Sequence, residues 1–523
     1  MSSSPKKLLW VDDEIDLLES HILYLGERGY EVTKATNGQD ALTMLEDRTF
    51  DLVLIDEMMP AMNGLEVLRQ LKERHPDIPA VMVTKNEAEE LMDQAIGSHI
   101  DGYLTKPVNP SQILSVLKSI IERRQISQDQ LPRRWAEGFA GISRLISEDL
   151  NASGWIDLHS RMCSWELELD RLGNNELIDM LQDIRREADG NFNRWIEYNY
   201  PQWISNPEDR PMLSMDVANR SLINLLTGDT PVLFLVLDCL RYDQWLVLEP
   251  LLSQYFDIKR EGYLSALPSA TPYSRNAIFG GLNPAELERV FPEIWNEGDE
   301  NEAMTNRFER QLLEKLLERR GVQLKSEMKY IKVLENDEAA EFERRVNEYL
   351  STPLTAMVYN FVDILLHTRQ SVEVLREMLP DEAAFRSVTQ AWFKHSSLFR
   401  IMRAYGEAGG KVLVTSDHGS IRARRGAKVI GDRQTSSSLR YKIGRNLQID
   451  KKHAVRIKEP SKWGLPERGV NTEYVIARDD YYLVYPTNYH KYLEMYKDSF
   501  QHGGISLEEM VLPLVTMTGK GRV

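Results

Sequence analysis

The sequence predicts an α/β chain in three parts: an N-terminal doubly wound parallel sheet, a central helical bundle and a C-terminal α/β/α domain. In the N-terminal part, short apolar runs alternate with helix-period segments, which is a repeated βα pattern. A second set of apolar runs in the C-terminal part ends in Asp or His side chains. The stretch between them is rich in charge and poor in β-branched runs. We therefore expect domains at residues 1–124, 125–215 and 216–523.

The N-terminal sheet is predicted from apolar runs that stop at polar side chains. KLLWV stops at Asp12 and Asp13, DLVLID stops at Asp56, PAVMVT stops at Thr84, and GYLTKP carries Lys106. Because the carboxyl ends of parallel strands meet at one edge of a sheet, we expect these side chains to lie close together. Three carboxylates repel each other unless a cation lies among them, and Mg²⁺ prefers oxygen ligands. The pattern predicts a magnesium site.

This pattern resembles the receiver domain of two-component response regulators, a flavodoxin-like fold, over residues 5–124. The resemblance implies that Asp56 accepts a phosphoryl group from a cognate sensor histidine kinase and that Asp12, Asp13 and Asp56 bind Mg²⁺. It also implies a homodimer promoted by phosphorylation. It further implies that the Thr84 hydroxyl and the Lys106 ammonium bind the phosphoryl group. Tyr103 would be the aromatic switch. Nothing after residue 124 has the pattern of a basic recognition helix, so no DNA-binding output domain is expected.

Composition excludes several classes of function. A net charge of -16 and a pI of about 5.3 argue against a protein that coats nucleic acid or acidic membranes. The sequence shows neither a signal-peptide pattern nor an uninterrupted membrane-length apolar stretch, which predicts a cytoplasmic protein without membrane insertion. Its two cysteines, Cys163 and Cys239, predict neither a disulfide framework nor a cysteine zinc motif. We expect Cys239 to be a small buried residue of a strand.

The middle of the chain carries five tryptophans at spacings compatible with helices, and two interpretations of it stay open. It is either a relay or dimerising element, or a packing spacer whose tryptophans fill its own core. The tryptophans are Trp135, Trp155, Trp165, Trp195 and Trp203.

Two C-terminal apolar runs lead into side chains that bind metals. PVLFLVLDCLRYDQW reaches Asp238, and GKVLVTSDHGS reaches Asp417 and His418. Adjacent residues reach one ion only from a turn, which we expect Gly419 to permit. Taken singly, the Asp417–His418 pair also fits a solvated turn.

Three further ligand candidates follow the same logic. Asp363 and His367 are four residues apart in VDILLHTR, so a helical turn places them on one face. His502 in QHGG can complete a second ligand set. Taken alone, Asp363 and His367 also fit an exposed pair on a helix surface. Together with the other candidates, they favour two zinc ions with carboxylate and imidazole ligands.

Thr271 is the candidate nucleophile. It precedes Pro272 and a helix-like run, so we expect it at the N-cap, where free N–H groups and the helix dipole can hold a phosphate. A threonine hydroxyl becomes nucleophilic when a metal lowers its pKa. The competing interpretation is an ordinary N-cap threonine.

These motifs, in this order, resemble the PglZ branch of the alkaline phosphatase superfamily over about residues 225–520. The resemblance implies that Thr271 is the nucleophile of a two-zinc hydrolase. One zinc would be held by Asp238, Thr271, Asp417 and His418, and the other by Asp363, His367 and His502. A receiver, a helical bundle and a PglZ domain together resemble the PorX-type response regulators, which are linked to type IX secretion.

A basic stretch narrows the substrate class. Residues 420–462 carry thirteen Lys or Arg against three acidic residues. We expect Arg422, Arg424 and Arg425 to lie at the mouth of the metal site and to hold a second phosphate or an oligonucleotide backbone. This favours a phosphodiester substrate, while a solvated charged loop is the other interpretation.

The sequence therefore predicts that phosphorylation of Asp56 controls a two-zinc phosphodiesterase acting on nucleotides or oligonucleotides. The alternative is a non-catalytic scaffold that binds a transcription factor or a secretion component, with metals that serve stability. A nucleophile beside a complete ligand set favours catalysis, because a structural zinc site needs no nucleophile.

Overall fold

The computed structural model describes residues 5–75, 78–84, 100–226, 228, 230–295, 307–334, 336–432, 438–467, 469, 471–487 and 489–521. The chain divides into two compact units, Met1–Phe139 and Ala140–Val523, and each is described by itself.

The first unit contains a parallel five-stranded sheet in the order β2-β1-β3-β4-β5. Both faces are covered: Leu9 and Val11 pack on one side, whereas Leu8 and Trp10 pack on the other. Burial on both faces explains why the strand sequences are continuous apolar runs. The strands are β1 Lys6–Val11, β2 Tyr30–Ala35, β3 Leu52–Asp56, β4 Ala80–Thr84 and β5 Gly102–Thr105. The helices are α1 Glu19–Gly26, α2 Gly38–Asp47, α3 Gly64–Arg74 and α4 Pro110–Leu117.

The middle of the chain is helical, as predicted. Its helices are α5 Arg123–Ser147, α6 Ala152–Leu172 and α7 Asn175–Ser205. Helix α6 begins where the Asn151 side chain accepts the Gly154 N–H, and it ends at Gly173, whose φ of 64° only glycine adopts readily. Aromatic contacts join α6 to α7 and α7 to the rest of the second unit. Trp155 packs on Phe192 of α7, and Tyr200 of α7 stacks on Trp463.

The second unit is built on a six-stranded sheet in the order β7-β18-β10-β6-β9-β8. Neighbouring strands β10, β6, β9 and β8 run parallel, whereas β18 runs antiparallel to both β10 and β7. The strands of this sheet are β6 Val232–Leu237, β7 Phe256–Leu264, β8 Lys329–Val333, β9 Leu354–Tyr359, β10 Lys411–Thr415 and β18 Val511–Gly519.

Helices cover both faces of this sheet, which gives the predicted α/β/α architecture. Leu235 of β6 belongs to the core on the side of Trp245, whereas Phe234 contacts Phe279 on the other side. The helices are α8 Ser214–Asp216, α9 Ile223–Leu225, α10 Tyr242–Leu252, α11 Thr271–Gly280, α12 Pro284–Val290, α13 Pro292–Trp295, α14 Glu309–Arg319, α15 Asn336–Arg344, α16 Val346–Tyr349, α17 Phe361–Ser371, α18 Glu373–Met378, α19 Glu382–His395, α20 Ser397–Glu407, α21 Tyr489–Tyr496 and α22 Leu507–Met510.

Small sheets follow the strand β10 along the chain. Strand β11 pairs with β17, β12 pairs with β16, and β15 lies between β13 and β14. Their bounds are β11 Ile421–Ala423, β12 Arg425–Lys428, β13 Tyr441–Gly444, β14 Ala454–Ile457, β15 Glu473–Ala477, β16 Tyr481–Val484 and β17 Ser499–Gln501. Among the described residues, none of the helices combines the length and the apolar character that a membrane crossing requires.

Candidate functional site

The carboxyl edge of the six-stranded sheet gathers the predicted metal ligands of the second unit. Asp238 directly follows β6, and Asp417 lies two residues after β10. Helix α17 starts two residues after β9 and carries Asp363 in its first turn. Because β10, β6 and β9 are parallel neighbours, their ends meet at this edge.

The turn after Asp238 is shaped by Cys239. This residue has a φ of 64°, an uncommon conformation for a residue other than glycine, and it is buried. The sequence expectation of a buried residue holds, but its placement in a strand is wrong, because β6 ends at Leu237. The Cys239 N–H donates to Asp417 Oδ1 at 3.3 Å, and the Leu240 N–H donates to Ser416 Oγ at 2.9 Å. The left-handed turn thereby ties the two strand ends together.

Gly419 permits a close approach of two chain segments. A Cβ atom at this position would lie 1.9 Å from the backbone oxygen of Glu508, and the Gly419 N–H donates to Glu509 O at 3.0 Å. Gly419 is not among the residues with positive φ. The requirement for glycine at this turn therefore comes from the close approach of α22 and not from a positive φ.

One ligand cluster contains Asp238, Asp417 and His418, all buried, with candidate ligand atoms within 4.8 Å of one another. His418 Nδ1 lies 3.0 Å from Gly419 O. A carbonyl oxygen only accepts, so Nδ1 carries the proton and Nε2 is left as an acceptor or metal ligand. Thr271 Oγ1 lies 2.9 Å from this Nε2 atom.

Thr271 occupies the first position of α11, and Ala270 is the N-cap. The predicted N-cap position is therefore wrong by one residue. Pro272 has no N–H, and the N–H groups of Tyr273 and Ser274 both donate to Ala270 O at 3.0 Å. The predicted set of free N–H groups for a phosphate is thus reduced to the N–H of Thr271, alongside the helix dipole.

The other ligand cluster contains Asp363, His367 and His502, again within 4.8 Å of one another. His367 Nε2 lies 3.3 Å from Asp363 Oδ1, as the four-residue spacing on a helix predicts, and 3.5 Å from His502 Nε2. The rings of His418 and His502 stack with centroids 4.2 Å apart, which joins the two clusters. The His367 side chain is 46% exposed, so the joint site opens to solvent on this side.

Burial and neighbouring charges shift the pKa values of several ligand candidates in the two clusters. Burial, reinforced by His418, lowers the pKa of His502 well below its ordinary value. Burial and the neighbouring Asp417 raise the pKa of Asp238, against the pull of Arg275. Burial alone would raise the pKa of Asp363, but the hydrogen bond and charge of His367 outweigh it and lower that pKa. Such clustered perturbation is typical of functional sites.

The donor set fits zinc. Asp238 Oδ1 is buried without a hydrogen-bond partner among the described residues and lies 3.7 Å from His418 Nε2. Two imidazole nitrogens face each other in the other cluster. Acceptors that face one another are costly unless a proton or a cation lies between them, most of all where they are buried, as at Asp238, and mixed carboxylate and imidazole ligands suit zinc.

The first unit brings its predicted site together as well. Asp12, Asp13 and Asp56 have ligand oxygens within 4.8 Å of one another at the carboxyl edge of the first sheet. Lys106 Nζ lies 2.9 Å from Asp12 Oδ2 and 3.0 Å from Asp56 Oδ2. Burial raises the pKa of Asp56, although Lys106 opposes the shift.

The two predicted switch residues lie on neighbouring strands of the same sheet. Thr84 ends β4, and its hydroxyl contacts a carboxylate oxygen of Glu57. Tyr103 on β5 is 48% exposed.

Comparisons with known proteins match all three parts of the chain. Residues 218–517 match the family described as BREX system PglZ alkaline phosphatase-like domain. The chain belongs to this PglZ family. Residues 8–118 match the response regulator receiver domain, and residues 125–204 match the PorX response regulator linker domain. The combination is the PorX-type architecture of receiver, linker and PglZ domain.

Curated relatives match a smaller part of the chain. The phosphate regulon regulatory protein PhoB of Pseudomonas aeruginosa is 36% identical over 129 residues, which are 24% of this chain and 56% of PhoB. The alkaline phosphatase synthesis regulatory protein PhoP of Bacillus subtilis is 34% identical over 124 residues, 23% of this chain and 51% of PhoP. The chain therefore spans about half the length of these relatives. A CheY-like receiver domain from Methanospirillum hungatei is 32% identical, with 23% of this chain and 96% of that structure covered and a TM-score of 0.22.

Sequence reasoning missed Arg275 and Glu309 in the PglZ domain. Arg275 is fully buried, and its Nε and Nη2 atoms lie 3.0 and 2.9 Å from Asp417 Oδ2. Its Nη2 atom also contacts Asp238 Oδ2. The sequence spacing could have indicated Arg275, because this residue follows Thr271 by four positions and therefore shares its helix face. Glu309 has no such signal in the sequence.

The three arginines proposed for substrate binding do not contact the ligand clusters through their ion pairs. Arg422 and Arg424 pair with Glu382, and Arg425 pairs with Asp480. They line a cavity of about 330 Å³ together with residues of α6 and α7, and none of the six ligand-cluster residues lines it. Their substrate role stays a prediction.

The basic stretch is not a single exposed surface. Arg440 is fully buried and bonds Glu509, and Lys442 is also buried. Arg433 lies outside the described residues.

Proposed function

We propose that the chain is a phosphorylation-switched, two-zinc phosphodiesterase acting on nucleotide or oligonucleotide phosphodiesters through Thr271. The contact that carries the proposal is that of Thr271 Oγ1 with His418 Nε2, 2.9 Å apart and buried at the cluster of Asp238, Asp417 and His418. A structural zinc site gains nothing from a hydroxyl in this position.

The proposed ligands of one zinc are Asp238, Thr271, Asp417 and His418, and those of the other are Asp363, His367 and His502. Zinc bound there would lower the pKa of the threonine hydroxyl and stabilise negative charge on the phosphoryl oxygens. The chain fixes the hydroxyl at the start of α11, and the contact of His418 Nδ1 with Gly419 O leaves the Nε2 atom beside Thr271. The exposed edge of His367 leaves a route for the substrate.

In the proposed reaction, Thr271 Oγ forms a bond to phosphorus while the bond from phosphorus to the leaving oxygen breaks. The hydroxyl proton is lost and the leaving oxygen gains one. Water then cleaves the Thr271 phosphoester and frees the threonine. We propose phosphodiesters rather than phosphomonoesters as substrates, because the chain resembles phosphodiesterases of the superfamily.

The receiver domain is the proposed switch. Asp56, with Mg²⁺ held by Asp12, Asp13 and Asp56 itself, would accept the phosphoryl group from a sensor histidine kinase, and phosphorylation would promote a homodimer. Lys106 already contacts the carboxylates of Asp12 and Asp56 and is placed to pair with a phosphoryl oxygen. The architecture supports a role in regulating type IX secretion.

The test is hydrolysis of bis-p-nitrophenyl phosphate by the zinc-loaded full-length protein and by Thr271→Ala. We expect zinc-dependent turnover that falls at least about 10³-fold in the variant, since the nucleophile is lost. Thr389→Ala is the matched control, because this buried threonine donates to Phe385 O on α19. A folded, zinc-bound wild type without turnover would favour the scaffold that binds a transcription factor or secretion component.

A further inference from the structure

Arg275 lies between two candidate ligands of one zinc. Its guanidinium is fully buried and contacts Oδ2 of both Asp238 and Asp417. With Oδ2 of Asp238 engaged in this way, Oδ1 is left buried without a hydrogen bond and 3.7 Å from His418 Nε2. The arginine thereby determines which oxygen of Asp238 faces the histidine.

A second layer of contacts holds Arg275 from the opposite side. Its Nη1 atom lies 3.5 Å from Glu309 Oε1, and Glu309 is only 1% exposed. The Tyr330 hydroxyl donates to Glu309 Oε2 at 2.7 Å, and Lys332 Nζ lies 3.3 Å from the same oxygen. Glu309 is the first residue of α14, which packs against α11. The guanidinium therefore has carboxylates on both sides, and its Nε atom donates a hydrogen bond to Asp417 Oδ2.

The charges explain how a buried cation can coexist with zinc. Two carboxylates balance one zinc ion, and Glu309 pairs with both Arg275 and Lys332. A buried charge is tolerated when it is paired and hydrogen-bonded, and a fixed partner for each ligand carboxylate keeps it in the binding geometry. Without Glu309, the guanidinium would oppose the metal.

We propose that Arg275 is a positioning residue that fixes Asp238 and Asp417 for one of the two zinc ions, and that Glu309 fixes Arg275 in turn. This inference rests on the proposed function. A mere folding brace would lower stability and leave the affinity of the folded protein for zinc unchanged, whereas a positioning residue changes the affinity of one zinc site and not of the other.

The test is zinc binding by the full-length protein, measured by competition with a chromophoric chelator. In Arg275→Met we expect one zinc to bind about 10- to 100-fold more weakly and the other as in wild type, the usual cost of removing a partner of a metal ligand. Arg275→Lys keeps the charge but not the fork of donors, so we expect an intermediate loss. Arg386→Met is the matched control, because Arg386 is also buried and also bridges two carboxylates, Asp170 and Asp243. It should bind both zinc ions as wild type does.

Binding separates this inference from the proposed activity. Two zinc ions bound equally by wild type and Arg275→Met would overturn the inference whether or not the protein hydrolyses a diester. A wild type that binds no zinc would overturn both. If Arg275→Met does not fold, Glu309→Gln and Arg275→Lys decide: weaker binding of one zinc supports the inference, and wild-type binding by both variants rejects it.

Discussion

At the residue scale, Gly419 is a sharp constraint on the candidate metal centre. A methyl group there would lie 1.9 Å from the backbone oxygen of Glu508, so α22 or the His418 turn must move. We expect Gly419→Ala to lower the free energy of unfolding by about 1–3 kcal/mol, as overpacking does, and to weaken zinc binding. Denaturant unfolding and zinc competition measure both effects.

Gly190→Ala is the control for this substitution. Gly190 lies within α7, and nothing lies within 4 Å of its added Cβ atom. Alanine there should keep or raise stability by up to about 1 kcal/mol through its helix propensity. Wild-type stability and zinc affinity in Gly419→Ala would contradict the argument that close approach requires glycine.

Lys442 gives a pH prediction. Burial lowers the pKa of this lysine to about 7 in the folded state, from an ordinary value of 10.5. Below pH 7 both states hold the proton and the folded state bears the full cost of a buried charge. Between about pH 7 and 10 the unfolded state binds more protons, so stability must rise with pH.

The measurement is the difference in unfolding free energy between Lys442→Met and wild type at pH 7 and pH 9. The variant should be the more stable at pH 7, and its advantage should shrink by about 1–3 kcal/mol at pH 9. Lys451→Met, at an exposed position, should follow wild type at both values. A pH-independent difference for Lys442→Met would show that the ring of Tyr485, 4.5 Å away, stabilises the charged form after all.

At the scale of elements, α7 contacts the loops on both sides of the metal centre. The Tyr200 hydroxyl accepts the Leu267 N–H at 3.0 Å, four residues before Thr271. Asp189 Oδ1 accepts the Leu507 N–H at 2.8 Å, in the segment that follows His502. The helical middle of the chain thus supports the positions of residues proposed for catalysis.

Tyr200→Phe tests this support. It leaves the Leu267 N–H buried without its acceptor, so we expect a stability loss of about 1–3 kcal/mol and a lower kcat with little change in KM. Steady-state kinetics on bis-p-nitrophenyl phosphate measure the split. Tyr198→Phe, at a 73% exposed position on the same helix, should leave both constants unchanged. An unchanged kcat in Tyr200→Phe would show that α7 contributes to packing and not to the positions of the catalytic residues.

The elements that sequence predicted well are those whose signal is local. Strands buried on both faces are continuous apolar runs, and carboxylates at their ends must share a sheet edge, which is why Asp56 and Asp238 were found. Glu309 was missed because its contact with Arg275 joins helices 34 residues apart in sequence, and no local pattern encodes such a pair. The orientation of the Arg422 side chain was not predictable, because its acidic partners Glu382 and Asp498 lie in other parts of the sequence.

At the scale of the whole molecule, helices α6 and α7 and the PglZ domain fall in one compact unit, Ala140–Val523, which spans the predicted boundary at residue 216. Buried ion pairs cross that predicted boundary: Arg185 bonds Glu508 at 2.8 Å, and Arg386 contacts Asp170. Removing residues 140–215 would leave Glu508 without Arg185 and would expose Trp463, on which Tyr200 stacks. An unpaired buried charge costs about 3–5 kcal/mol.

We therefore expect a fragment of residues 140–523 to fold, to unfold cooperatively on heating and to bind two zinc ions. A fragment of residues 216–523 should melt at least about 10 °C lower or aggregate, because several kcal/mol are lost at once. Circular dichroism melting curves and zinc content, measured on both fragments beside the full-length chain, test this. Equal melting temperatures and zinc contents for the two fragments would show that the linker helices are a separable spacer, which is the other interpretation that the tryptophan pattern allowed.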